Sequence, residues 1–171
     1  IDGKVVTDIV SIEGNRSQVC ALTLQGNVYC YGSNQFGGIS DGKSTGYRFN
    51  LTQLQISPGI PVSNATTIAV TDGGSCFGRT DGSVWCVGRN TSGELADNTT
   101  TNASYPVRVK TGASTYLSGV IQLSGGVSSL FTGATICAIT NDGTTVGGKL
   151  WCWGSNYYGQ IGDGTSGSVN N

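Results

Sequence analysis

An all-β fold built from three copies of one four-stranded antiparallel unit is what this 171-residue sequence predicts. Three observations carry the prediction. Gly, Thr, Ser and Asn make up nearly half of the chain while charged residues are only 11%, a composition of short strands and many turns. One motif recurs three times without a gap: "YCYGSNQFGGISDG" (29–42), "WCVGRNTSGELADN" (85–98) and "WCWGSNYYGQIGDG" (151–164). The six cysteines fall in phase with that repeat, as Cys20/Cys30, Cys76/Cys86 and Cys137/Cys152.

The first element of each unit is a short apolar stretch: "VVTDIVSI" (5–12), "ATTIAV" (65–70) and "LSGVIQL" (117–123). A hairpin follows. In "VCALTLQGNVYC" and "SCFGRTDGSVWC" a three-residue loop, Leu24-Gln25-Gly26 or Thr80-Asp81-Gly82, pairs residues whose numbers sum to 50 or 162. Its last residue is Gly, which the left-handed position of such a loop requires. Cys20 then stands opposite Cys30, and Cys76 opposite Cys86. "ICAITNDGTTVGGKLWC" has a tip five residues longer and keeps Cys137 opposite Cys152. Opposed residues on antiparallel strands lie about 4.5–5.5 Å apart at Cα, within disulfide reach, so one disulfide is expected inside each hairpin. With no His and no C-x-x-C there is no zinc pattern, and paired disulfides imply an oxidising compartment.

The repeated turn after each hairpin reads as scaffold. Gly32, Gly88 and Gly154 are expected to allow close blade packing. Asn34, Asn90 and Asn156 suit an Asx-type turn, and Gly37, Gly93 and Gly159 supply positive φ. Ile39, Leu95 and Ile161 would plug an interface between units. Asp41, Asp97 and Asp163 would accept backbone N–H groups, which explains them without calcium. Tyr29, Trp85 and Trp151 are read as lying on one sheet face and Tyr31, Val87 and Trp153 on the other, both faces being core. Polar linkers, some ending in strand-like pieces such as "YPVRV" (105–109), complete four short strands in about 55 residues, the size of one propeller blade. The expected units are residues 5–63, 64–116 and 117–171.

At these residues the sequence resembles the RCC1-like (regulator of chromosome condensation) repeat family, of a secreted or bacterial disulfide-containing type. "ICAITNDG" with "LWCWGSNYYGQIGDGT" follows the family's CAL…DG…WCWGSN…GQLGDGT pattern almost letter for letter. The second copy includes the PVxV piece as "SYPVRV" but has Ala96 and Asn98 in place of glycines. The first has Tyr29 and Tyr31 for the tryptophans and no clear PV strand. The resemblance covers nearly the whole chain, except insertions near 43–63 and 127–135. It implies a β-propeller, and the family's usual propeller has seven blades where this chain holds three. The expectation is closure by a homo-oligomer, a dimer or a trimer, or a place in a larger propeller. The head "IDGKVV" is read as the strand that the tail "GDGTSGSVNN" lacks.

Several function classes are disfavoured. A net charge of -1 without a basic patch gives nucleic acid no footprint. No apolar run is long enough for membrane insertion or a signal peptide, and Met is absent, as in a mature product or an excised domain. No nucleophile–base constellation or P-loop is present, so neither an enzyme nor a cofactor or metal is expected. What differs between repeats is where binding is sought: 43–55, 91–105, 144–149 and the variable turn pairs. Tyr47, Arg48, Phe49, Phe36, Tyr157 and Tyr158 sit there, of residue types enriched at binding hot spots. The expected function is an extracellular or cell-surface binding module, adhesin-like or at a fibre tip, recognising a protein or a glycan. A secreted protein inhibitor of a hydrolase is the alternative, since a secreted β-lactamase inhibitor is a similar RCC1-like propeller. The nucleotide-exchange and chromatin role of the family's founding member fits least with the disulfides and a pI near 5.1.

Overall fold

A computed structural model describes residues 5–126, 133–141, 143 and 147–168. Its backbone is a series of antiparallel sheets. The first sheet comprises β1 (Ile9–Gly14), β2 (Gln18–Thr23), β3 (Val28–Ser33) and β4 (Tyr47–Gln53) in sequential order. A small hairpin, β5 (Gln55–Ser57) and β6 (Ile60–Pro61), leads to the second, β7 (Ala65–Thr71), β8 (Gly74–Arg79), β9 (Val84–Gly88) and β10 (Ala103–Arg108). The third holds β11 (Val120–Gly125), β12 (Thr135–Thr140), β13 (Lys149–Asn156) and β14 (Gly167–Ser168). Neighbouring first strands pack together, β1 on β7 and β7 on β11, so the sheets fan out as propeller blades. The first repeat has a fourth strand despite lacking "PV", because Leu54 does the work of Val109. Leu54 N–H bonds Val28 C=O at 2.9 Å, as Val109 N–H bonds Val84 C=O at 3.0 Å.

The hairpin registers are those the spacing predicts. Cys20 faces Cys30, Cys76 faces Cys86 and Cys137 faces Cys152, each pair bridged with Cα atoms 4.1 Å apart. The loop glycines have a second role. Gly26 and Gly82 have φ of 77° and 76°, and a Cβ on either would lie 2.7 Å from the backbone N of Ala65 or Gly119 in the next blade. There Ala65 N–H bonds Gly26 C=O, and Val120 N–H bonds Gly82 C=O, both at 3.1 Å. Each hairpin tip is thereby tied to the start of the following blade.

One sequence reading of the sheet faces needs correction. With a period of two, Tyr29 and Tyr31 flank Cys30 and share one face, as do Trp85 with Val87 and Trp151 with Trp153. Each blade thus has an aromatic face and a cysteine face. The cysteine face of the first blade (Cys20, Leu22, Val28, Cys30) packs with Phe77 and Trp85 from the aromatic face of the second. The cysteine face of the second (Cys76, Val84, Cys86) packs with Ile136, Ala138 and Trp153 of the third. Ile39 is 0% and Leu95 2% exposed in these two interfaces, whereas Ile161, at the same position in the third blade, is only half-buried. The expectation of core on both faces therefore holds in the middle blade and fails outside. Tyr31 and Trp151 are each 41% exposed.

The head of the chain is also placed differently. Leu24 N–H bonds Asp8 C=O at 2.8 Å, matching Thr80 to Asn64 at 2.9 Å and Asn141 to Gly119 at 2.8 Å. Asp8, Asn64 and Gly119 share the left-handed conformation. Val6 is therefore the counterpart of Val62 and Leu117, which lead into a first strand. Val5 and Val6 are not a fourth strand. Residues 1–4, 127–132, 144–146 and 169–171, which carry the rest of the head, most of an insertion, part of a variable loop and the tail end, lie outside the described residues.

Candidate functional site

The repeated turn is a buried clamp, and larger than an Asx turn. Asn90 Oδ1 accepts Leu95 N–H, five residues on, at 2.8 Å, while its Nδ2 donates to Asp97 Oδ1 at 3.1 Å and Thr99 O at 3.0 Å. Asn34 repeats this with Ile39, Asp41 and Lys43, and Asn156 with Ile161 and Thr165. All three amides are essentially inaccessible, at 1%, 0% and 0% exposure. The glycines that precede the clamp, Gly32, Gly88 and Gly154, make room within their own blade first. A Cβ there would overlap the carbonyl oxygen of Ser17, Gly73 or Ala134, the acceptors of Ser33, Arg89 and Ser155 N–H.

The clamp aspartates serve the same turn. Lys43, Thr99 and Thr165 N–H donate to Asp41, Asp97 and Asp163 at 3.1, 2.9 and 2.9 Å. Burial pushes the Asp41 carboxyl up, yet hydrogen bonds from Arg48 and the Lys43 N–H, with the Arg48 charge, hold it below its ordinary value. The Thr165 hydroxyl and N–H hold Asp163 below its own. Among the described residues no three His, Cys, Asp or Glu side chains gather as a metal cage would require.

The sequence-selected binding residues separate into three groups. Tyr47, Arg48 and Phe49 are not in a loop but open strand β4. Strand alternation sends Tyr47 and Phe49 to one side, 56% and 90% exposed and stacked with ring centroids 6.2 Å apart. Arg48 points the other way and is structural, pairing with Asp41 and donating to Thr45 O at 3.3 Å. Phe36 is structural too: it lies against Gly73 of the next blade, under the Arg89 guanidinium at 5.6 Å. Tyr158 occupies Phe36's position in the third blade and Tyr157 that of Gln35. They are 70% and 57% exposed, edge to face at 4.9 Å, at the border of the free cysteine face.

Sequence reasoning missed a cleft of about 430 Å³ between the second and third blades, lined by Ala96, Val109, Lys110, Leu117, Trp151 and Trp153. Leu150 beside it is 70% exposed, although its counterparts Val28 and Val84 are 1% and 0% exposed.

Sequential four-stranded sheets, joined through one repeated interface and one repeated Asn clamp, define the blades of a β-propeller built from sequence repeats. The regulator of chromosome condensation (RCC1) repeat matches residues 81–131, and a second description of that repeat matches 9–37 and 133–160. Together these cover more than half of the sequence, and the chain belongs to the RCC1 repeat family. Similar solved structures agree on the fold. Human WBSCR16 matches with a TM-score of 0.69 and 19% identity over 100% of this chain and 38% of that one. Prp20p from Saccharomyces cerevisiae, described with its binding to Gsp1p and histones, matches with 0.65 and 16% over 92% of this chain and 36% of its own. Yeast RCC1 (Prp20) bound to Kap60 gives 0.59 and 17% over 86% and 32%. The chain thus spans between 32% and 38% of the length of these relatives.

Proposed function

We propose that this chain is an extracellular, non-enzymatic binding module of the adhesin or fibre-tip kind, in which propeller blades present Tyr47 and Phe49 to a protein or glycan. The observation that carries the reading is the exposed stacked pair on a firmly held strand. Two large aromatics mostly in water, stacked on one another, supply contact area at little conformational cost. Three disulfides, one per blade, support an oxidising location. Partners of the similar yeast protein, Gsp1p, histones and Kap60, favour a protein ligand over a glycan.

The double variant Tyr47→Ala/Phe49→Ala is expected to weaken binding to whole cells or a glycan array at least tenfold, about 1.4 kcal/mol. Its melting temperature should stay within about 2 °C, because neither ring is buried. Unchanged binding moves the site elsewhere, and stoichiometric inhibition of a secreted hydrolase that depends on Tyr157 and Tyr158 selects the inhibitor reading.

The same proposal includes a homo-oligomer, dimer or trimer. The free aromatic face of the first blade (Val19, Ala21, Tyr29, Tyr31) and the free cysteine face of the third (Cys137, Cys152, Leu150, Ile161) are the two halves of an interface the chain makes twice internally. Such halves associate head to tail, and rings close when the rotation allows. Sedimentation should give a multiple of 17.5 kDa that Tyr31→Arg returns to the single-chain mass. A compact monomer at every concentration removes the oligomer from the reading.

A further inference from the structure

The second blade, with the first and third packed on either side of it, carries charged side chains at the tip end of its hairpin that the first blade lacks. Strand pairing gathers them. Arg79 N–H bonds Ser83 C=O at 2.9 Å across the base of the hairpin, and Arg108 on β10 stands opposite Trp85 on β9. Phe77 faces Trp85 in the same register, so Arg79, Trp85 and Arg108 lie on one sheet face. In the first blade the positions of Arg79, Asp81, Arg108 and Tyr116 are held by Thr23, Gln25, Gln53 and Pro61, none of them charged.

The arginines also differ in how they are partnered. Gln53 Nε2 donates to Asn27 Oδ1 at 3.2 Å within the first blade. Among the described residues Arg108 makes no hydrogen bond and no ion pair. Its guanidinium lies over the Tyr116 ring, 4.6 Å from the centroid, and its Nε is sealed without a partner. Its two Nη nitrogens are not sealed and face outward as the free end of a planar fork. Arg79 is tied through Nε to Ser63 C=O at 3.3 Å, and its Nη nitrogens are likewise open. The Asp81 carboxylate reaches both arginines without satisfying either. Its Oδ1 accepts the Ser83 N–H at 2.9 Å and the Ser83 hydroxyl, and that hydroxyl accepts Trp85 Nε1–H at 3.0 Å. Those Ser83 bonds first, and the charges of Arg79 and Arg108 after them, hold Asp81 below its ordinary value. Neither arginine closes an ion pair with it, and one positive charge is left unmatched on a chain of net charge -1.

We infer that this end of the second blade is a carboxylate-binding site, and that its occupant is an acidic side chain of a partner protein. The Nη fork of Arg108 matches the two oxygens of a carboxylate, and the Tyr116 ring stacked on it holds the plane of that fork. Arg79 adds a second positive charge beside it. Charge complementarity selects the occupant. Two guanidiniums suit one carboxylate, whereas a polyanion such as nucleic acid or a sulfated glycan would also meet Asp81 and an acidic chain around it. The site is on a different blade from Tyr47 and Phe49 and does not depend on what they bind.

Poly-L-glutamate, titrated into the full chain at low salt and followed by calorimetry, is the probe. Saturable binding is expected, lost at high salt and weakened about tenfold or more by Arg108→Gln. Arg108→Lys, which keeps the charge and loses the fork, should fall between the two. Arg16→Gln removes an exposed arginine from the first blade and should change nothing. Glutamine holds the Arg108 position in the first blade, so Arg108→Gln is expected to fold. Should it fail, Tyr116→Leu, on an exposed ring, loosens the fork with a smaller loss. No saturation at millimolar glutamate residues, equal weakening by Arg16→Gln, or full affinity in Arg108→Lys overturns the proposal. So does binding of heparin or inorganic phosphate as tight as that of poly-L-glutamate, for then the site does not select an acidic side chain.

Discussion

Gly88→Ala is expected to cost about 4 kcal/mol or more, while Gly59→Ala costs about 1–2 kcal/mol. Both glycines have positive φ, 114° and 75°, so both variants carry the penalty of a Cβ in that region. They differ in what surrounds the new methyl. At Gly59 nothing lies within 4 Å. At Gly88 the added carbon would overlap the Gly73 carbonyl oxygen and lie 2.6 Å from Gly74 Cα and 3.1 Å from Gly38 Cα in the preceding blade. Backbone on both sides cannot rotate away as a side chain could. The Gly73 carbonyl would have to give up the Arg89 N–H bond of 3.0 Å, and the first blade would have to withdraw. Relief by distortion costs about 4 kcal/mol or more, a large part of the 5–15 kcal/mol that holds a typical domain. Urea unfolding of the two variants beside the parent tests this. Similar midpoints for Gly88→Ala and Gly59→Ala would show that φ alone sets the requirement.

The blades were legible in the sequence because their registers follow from local geometry. A three-residue loop ending in Gly fixes which residues face each other across the hairpin, and the cysteine spacing then agrees with it. The in-phase turn was likewise legible as scaffold, although its mechanism was not. That Asn90 reaches Leu95 and Thr99 depends on how the whole turn folds back, which no dipeptide signal encodes. Phe36 and Tyr158 show a harder limit. They occupy one position of the repeat, yet Phe36 is wedged against Gly73 and Arg89 while Tyr158 is exposed. The difference comes from the presence of a following blade, not from the residues. Arg48 misled for a related reason. Its sequence neighbours Tyr47 and Phe49 face solvent, and the pleat turns Arg48 inward to Asp41.

The same asymmetry predicts an order of reduction for the disulfides. Cys20, Cys30, Cys76 and Cys86 are 1%, 0%, 3% and 0% exposed, each bridge covered by the following blade. Cys137 and Cys152 lie on the free cysteine face of the third blade and are partly exposed. Thiolate attack needs access to sulfur along the S–S axis, so burial sets the rate when the surrounding structure is intact. Under native conditions, mild reductant followed by alkylation should label Cys137 and Cys152 first, with circular dichroism unchanged at that stage. The other four should react only at the rate of global unfolding, and together. Equilibrium cost follows a different logic. Each bridge closes a short loop, with sequence separations of 10, 10 and 15, worth about 2–3 kcal/mol through the unfolded chain. Removing the central bridge with Cys76→Ala/Cys86→Ala adds a cavity between two packed blades, which raises its cost to about 4 kcal/mol and lowers the melting temperature by roughly 10 °C. Cys137→Ala/Cys152→Ala opens no sealed cavity, so its cost stays near the loop value of about 3 kcal/mol. Simultaneous labelling of all six cysteines under native conditions would mean that the blades separate readily. A second copy on that face would slow labelling of Cys137 and Cys152 alone. The rate at that one bridge therefore reports on whether the cysteine face of the third blade is covered.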